Sequence, residues 1–351
     1  MNEQILKSVI EITRQRDMDS LELSLVSTVA EFAPVSVITL YKPLKDNPPN
    51  NVEEVIRLSI TENDKCEKNY KWNIEKQEVT ANNYVQQCFQ SASIVQSETD
   101  NRCTHLFYPI FLDNRVSGVL GLESQETLAP WQTLIEALIS IYNNYLAILD
   151  ESERDKLTGL LNRLTFDRKL DKLLEAQREK QEAYRASPQT SEKRQPGQMS
   201  CAWLAMLDID NFKRINDTYG HLFGDEVILI LSQKMKQYFR NSDLLFRFGG
   251  EEFVVILEPT SPEMAKQTFE RFSQAIARHD FPQVGKTTIS IGFSMINETD
   301  YPHAILERAD KALYYAKAKG RNCVFNYDEL PANGQLSDQK KTGSTVFFDE
   351  Q

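Results

Sequence analysis

Glu251 and Glu252 follow a glycine pair in the run Arg247-Phe248-Gly249-Gly250-Glu251-Glu252-Phe253. Residues 243–248 and 253–257 on either side are apolar enough to be strands. The run therefore reads as a hairpin whose glycines supply the positive φ angles of a tight turn. Two carboxylates on such a turn can hold a divalent cation beside a phosphate. Upstream, the apolar strand 203–207 ends in Asp208-Ile209-Asp210-Asn211-Phe212-Lys213. Asn216-Asp217, Tyr219-Gly220-His221 and Gly224-Asp225 follow, at the start of an apolar helix over 227–239. Strand alternation puts Asp208 and Asp210 on one side, and Asp208 converges on Glu251 if the hairpin is the neighbouring strand. Mg²⁺ uses one or two carboxylates of this kind together with substrate phosphates. Downstream, a helix over 303–319 runs into Ala316-Lys317-Ala318-Lys319-Gly320-Arg321-Asn322. Lys317 and Arg321 are four apart and share a face if the last turn is helical, which suits a polyphosphate.

Four blocks in this order resemble a GGDEF domain, the catalytic module of diguanylate cyclases. They are Asp155-Lys156-Leu157-Thr158-Gly159-Leu160-Leu161-Asn162-Arg163, the stretch 208–225, the Gly-Gly-Glu-Glu-Phe signature and the stretch 316–322. The likeness runs from about Asp155 to Tyr327. Glu replaces Asp at the third signature position and keeps the carboxylate. The resemblance implies an α+β fold, with a palm-like antiparallel sheet of the nucleotide-cyclase type and flanking helices. It implies that Asp208 and Glu251 bind Mg²⁺, with Mn²⁺ as an alternative, and that the Ile209 carbonyl is a backbone ligand. Asn216 and Asp225 would read the guanine edge, since an amide and a carboxylate complement its donors and acceptors. The backbone of Asn211, Phe212 and Lys213 would cradle phosphates, and Lys317 and Arg321 would neutralise them. His221 would contact substrate or make a structural hydrogen bond. Glu252 would serve as general base or as a second metal ligand.

The implied reaction condenses two GTP into cyclic di-GMP and two pyrophosphates. One domain binds one GTP, so a homodimer is expected. Arg240-Asn241-Ser242-Asp243 matches the family's inhibitory site for cyclic di-GMP, with Arg271 as a further contact from a partner domain. Arg geometry suits bidentate contacts to guanine or phosphate. The competing reading is a catalytically silent nucleotide receptor. The presence of Asp208, Asn216, Asp225, Glu251 and Glu252 favours the enzyme, because silent domains usually lose such residues. A single-nucleotide cyclase on the same palm fits the guanine-reading and Arg-x-x-Asp residues less well.

The remaining sequence bounds these expectations. At 351 residues the chain has room for two domains. Its net charge of −11 argues against a nucleic-acid partner. No apolar stretch reaches membrane-span length, residues 1–12 lack a signal peptide's apolar core, and a cytoplasmic location is expected. Cys66, Cys88, Cys103, Cys201 and Cys323 show no CxxC spacing, so neither a zinc site nor a disulfide framework is indicated and most of them read as reduced thiols. Residues 1–128 alternate helix and strand patterns in an order resembling a GAF domain, with PAS-like folds as the alternative. This implies a sensory or dimerising role, with a pocket that is either ligand-binding or purely structural. In the segment 129–156, Trp131, Leu134, Leu138, Ile141, Tyr145 and Ile148 recur in steps of three and four. That pattern predicts a helix forming either a parallel coiled coil between protomers or a face packed on its own domain; the coiled coil is the favoured reading. The catalytic domain is expected over 157–328. Residues 178–200 read as a mobile insertion and 329–351 as a disordered tail.

Overall fold

The computed structural model describes residues 2–44, 50–62, 68–98, 103–186, 201–297 and 299–331. Most of the expected insertion (187–200) and tail (332–351), and Cys66, lie outside the described residues. The chain divides into two units, Met1–Gly159 and Leu160–Gln351.

The first unit contains α1 (Asn2–Arg14), α2 (Met18–Phe32), β1 (Val37–Pro43), β2 (Asn51–Glu62), β3 (Lys68–Asn73) and β4 (Gln77–Thr80). It continues with α3 (Asn83–Ser91), β5 (Val95–Glu98), β6 (Thr104–Leu112), β7 (Arg115–Ser124) and α4 (Gln132–Glu153). The strands pair antiparallel in the order β3-β2-β1-β7-β6-β5, and β4 also pairs with β2. One sheet face carries Ile38, Leu40, Leu58, Leu120 and Leu122, which form a core with Leu21, Leu25 and Val29 of α2 and with α4. The other face packs Phe107, Val119 and Val52 against Val85, Cys88 and Phe89 of α3. Burial pushes the Cys88 thiol up to about 12, so it behaves as a small core hydrophobe.

The α4 helix departs from the expected seam between chains. Leu138 lies in the core of its own unit with Ile135, Ile139, Tyr142, Leu146 and Leu149, while Trp131, Leu134, Ile141 and Tyr145 pack at the core's edge. Only Ile148 of the seam is strongly exposed, at 60%. Steps of three and four mark an apolar face whatever covers it, and here the unit's own core does so.

The second unit comprises α5 (Arg163–Ala186), β8 (Cys201–Ile209), α6 (Phe212–Tyr219), α7 (His221–Tyr238), β9 (Leu244–Gly249), β10 (Glu252–Thr260) and α8 (Pro262–Arg278). The short strands β11 (Asp280–Phe281) and β12 (Gly285–Lys286) precede β13 (Ile289–Met295), α9 (Pro302–Ala318) and β14 (Val324–Asn326). The sheet order β14-β13-β8-β10-β9 puts the 201–209 strand at the centre. It is antiparallel except at one edge, where β14 runs parallel to β13. The 178–186 part of the expected insertion is the end of α5. Its Gln, Glu, Lys and Ala are good helix formers.

Strand alternation assigns the two faces of this sheet. Ala202, Leu204 and Met206 share a core with α5 and α9. On the other face Trp203 meets Phe293 edge-on, and Phe293 in turn packs on Phe269 of α8. By the same period, Asp208 projects to the α9 face. A Cβ at Gly292 would collide with the backbone of Leu313 and Ala309, so α9 lies directly on β13 only because position 292 has no side chain.

Candidate active site

The strand register brings the acidic residues together. Glu252 pairs directly with Asp208 across β10 and β8, and Ile209 N–H donates to the Glu251 carbonyl at 3.4 Å. The hairpin loop is Gly250-Glu251. Of the two signature glycines only Gly250 has positive φ, at 38°, while Gly249 ends the strand. Asp208 is 6% exposed, and its Oδ2 receives the Lys317 ammonium at 2.7 Å from the last turn of α9. Burial pushes the Asp208 carboxyl up to about 6 against the pull of Lys317, and Glu251 and Asp210 add to the rise. Burial also raises Glu252, helped by the charge of Asp208. A buried carboxylate beside other carboxylates needs positive charge, and Lys317 supplies it at Asp208.

Beside them lies a cavity of about 480 Å³ lined by Asp208, Ile209, Asn211, Phe212, Lys213, Arg214, Asp217, Glu251, Lys317 and Arg321. All the expected metal and phosphate residues reach it. Asn211 starts α6 in a left-handed conformation, with φ 58°. Arg214 and Asp217 were not foreseen. The signal for them was their position on the short, strongly amphipathic α6 directly after Lys213.

The expected guanine readers sit apart from that lining, at the α6–α7 turn. The Asn216 Oδ1 is buried with no hydrogen-bond partner, and it lies against Gly224, where a Cβ would overlap it. Asp225 and His221 are exposed on the first turns of α7. The unsatisfied amide oxygen of Asn216 and the exposed carboxylate of Asp225 are polar groups that complement a base edge.

Arg240 and Asp243 form a turn before β9. The Asp243 carboxylate accepts from Arg240 N–H at 2.8 Å and Glu258 N–H at 3.2 Å, while the Arg240 side chain is exposed. Arg271 is exposed on α8.

Residues 152–323 match the family model described as Diguanylate cyclase, GGDEF domain. This segment is a GGDEF domain. Across 231 residues the chain is 36% identical to Diguanylate cyclase DgcP of Pseudomonas aeruginosa, covering 60% of this chain and 32% of that protein. It is 44% identical over 133 residues to Diguanylate cyclase A of Treponema denticola, covering 36% of each chain. It is 37% identical over 226 residues to Response regulator PleD of Caulobacter vibrioides, covering 61% of this chain and 45% of that one. The chain thus spans less than half the length of these relatives. Within the GGDEF domain, the signature glutamates and Asp208 form one acidic site, with Lys317 bonded to Asp208.

Proposed function

We propose that the protein is a diguanylate cyclase, condensing two GTP into cyclic di-GMP with release of two pyrophosphates. The observation that carries this reading is the register pair Asp208–Glu252, with Glu251 in the adjoining turn and Lys317 bonded to Asp208; Asp208, Glu251 and Lys317 line a cavity together with Lys213, Arg214 and Arg321. A divalent cation fits this donor set. Asp208 is buried and Glu252 partly so, burial raises the proton affinity of both, and an ammonium already supplies positive charge at Asp208 Oδ2. Asp208, Glu251 and the Ile209 carbonyl would hold Mg²⁺, or Mn²⁺ in its place. When bound, such an ion lowers the pKa of a coordinated hydroxyl and stabilises charge on phosphate oxygens.

The chain's own groups do the rest. The backbone of 211–213, with Lys213, Lys317 and Arg321, holds the triphosphate of one GTP. Asn216 and Asp225 orient its guanine, and His221 stands beside them at the start of α7. The 3′-hydroxyl of a second GTP, held by a second copy of the domain, attacks the α-phosphorus. A new P–O bond forms as the bond to the β-phosphate oxygen breaks and pyrophosphate leaves. Its raised proton affinity suits Glu252 to take the hydroxyl proton, rather than to act as a second ligand. Repeating the step with the roles exchanged closes the ring, so the working unit is a homodimer. Arg240 and Asp243, with Arg271 from a partner domain, form the product-binding inhibitory site in this reading. The N-terminal unit acts as a GAF-like sensory or dimerising module. Its antiparallel sheet, with three helices on one face and α3 on the other, supports that assignment.

Counting pyrophosphate and inorganic phosphate against GTP consumed tests the reaction class. One pyrophosphate per GTP with no phosphate is expected. Phosphate release would mean hydrolysis, and no release with GTP bound would favour the silent receptor.

A further inference from the structure

Asp210 stands two residues beyond Asp208, is 5% exposed, and lines no part of the cavity. Its carboxylate is instead fully engaged. Oδ2 accepts from Thr288 Oγ1 at 2.6 Å and from Asn322 N–H at 2.9 Å, and Oδ1 accepts from Ser290 Oγ at 2.6 Å. Its own N–H donates to the Thr288 carbonyl at 2.9 Å. One buried carboxylate therefore ties together the end of β8, the start of β13 and the turn after α9.

That turn is unusual. Gly320, Arg321 and Asn322 have φ of 110°, 66° and 49°, and a left-handed conformation costs energy at the two non-glycine positions. Such a conformation persists only when its surroundings fix it. Helix capping fixes one side, with Arg321 N–H donating to the Ala316 carbonyl at 3.1 Å. Asp210 fixes the other through Asn322 N–H. Between these two anchors sits Arg321, whose side chain lines the cavity with Lys317.

We infer that Asp210 is a positioning residue that acts through the 320–322 turn to aim Arg321 at the β- and γ-phosphates of the bound nucleotide. This rests on the GTP reading above. Charge-assisted hydrogen bonds to one buried carboxylate give the turn one geometry, and a guanidinium held in one geometry loses less entropy on meeting phosphate.

The test is calorimetric binding to the full-length chain, in Mg²⁺, of GMP and of a GTP analogue whose α,β-bridging oxygen is methylene. Wild type is expected to prefer the triphosphate. Asp210→Asn should weaken the triphosphate about tenfold and leave GMP within about twofold. Arg321→Ala should do the same, and the double variant should be no weaker than either, since both changes remove one contact. Adding Asn322→Gly to Asp210→Asn should recover most of the loss, because glycine adopts the left-handed turn without help. If Asp210→Asn does not fold, Thr288→Val carries the test with a smaller loss, again confined to the triphosphate. Equal losses for GMP and triphosphate, or additive losses in the double variant, overturn the inference. A wild type that binds neither nucleotide overturns the GTP reading itself, a separate outcome.

Discussion

Asp208, Glu251 and Glu252 come from two strands and one turn, yet the backbone register alone brings Glu252 opposite Asp208. Their chemistry can be separated from their binding. Glu252→Gln keeps size and hydrogen bonding but cannot take a proton. We expect turnover to fall by about 10²-fold or more with GTP affinity little changed, read by steady-state pyrophosphate release beside calorimetry. Gly224→Ala tests the proposed base site without replacing Asn216 or Asp225 themselves. The added methyl must displace the Asn216 amide, so KM for GTP should rise about tenfold and discrimination against ATP should shrink, while melting shifts little. Their convergence was legible because the acidic and basic residues fall in short contiguous runs at strand and helix ends. Asp210 illustrates the limit. Alternation put it beside Asp208 as one more acid, but its partners are 78 to 112 residues away, and no local pattern reveals which donors close on it.

At the level of elements, the placement of α9 decides whether Lys317 reaches Asp208. Gly292 lets the helix touch β13, and Arg308 pins its N-terminal half. Arg308 donates to Ser294 Oγ at 2.9 Å, to the Met295 carbonyl at 3.0 Å and, through both terminal nitrogens, to Asp300. Burial would raise the Asp300 carboxyl, but the Arg308 hydrogen bonds and the Asn297 N–H outweigh it and hold it below its usual range. Arg308→Leu should therefore destabilise the second unit by about 2–3 kcal/mol near neutral pH. A depressed folded-state pKa contributes stability above the unfolded pKa and loses it as pH falls through the folded value. The gap between wild type and variant should accordingly narrow below about pH 4, measured by denaturant melts across pH. The central strand, the hairpin and α9 were readable from apolar runs and end signals. The α4 seam was misassigned because periodicity marks an apolar face without naming what covers it. The strand β3 escaped notice because all its residues are exposed and carry little apolar alternation.

For the whole molecule, each of the two units has its own apolar core. We expect two thermal transitions, of which Mg²⁺ with the methylene GTP analogue raises only one by mass action. Lys42→Met should lower the other. It would strip Lys42 from Glu22, whose side chain is 2% exposed in the N-terminal core, and an unpaired buried carboxylate costs about 3 kcal/mol or more. Scanning calorimetry of the two proteins distinguishes these shifts, and a shift in the wrong transition would contradict the assignment. Among the described residues no helix is long and apolar enough to cross a membrane. The order of the N-terminal strands could be read only coarsely from sequence, since the sheet closes through pairings such as β1 with β7 across some eighty residues. The central claim concerns what two copies of the catalytic unit make from GTP. Its most direct test is mass-resolved chromatography of the products after incubating the full-length protein with GTP and Mg²⁺, beside Glu252→Gln. We expect cyclic di-GMP from the wild type and none from the variant. Equal product from both, or a product containing a single guanosine, would contradict the account.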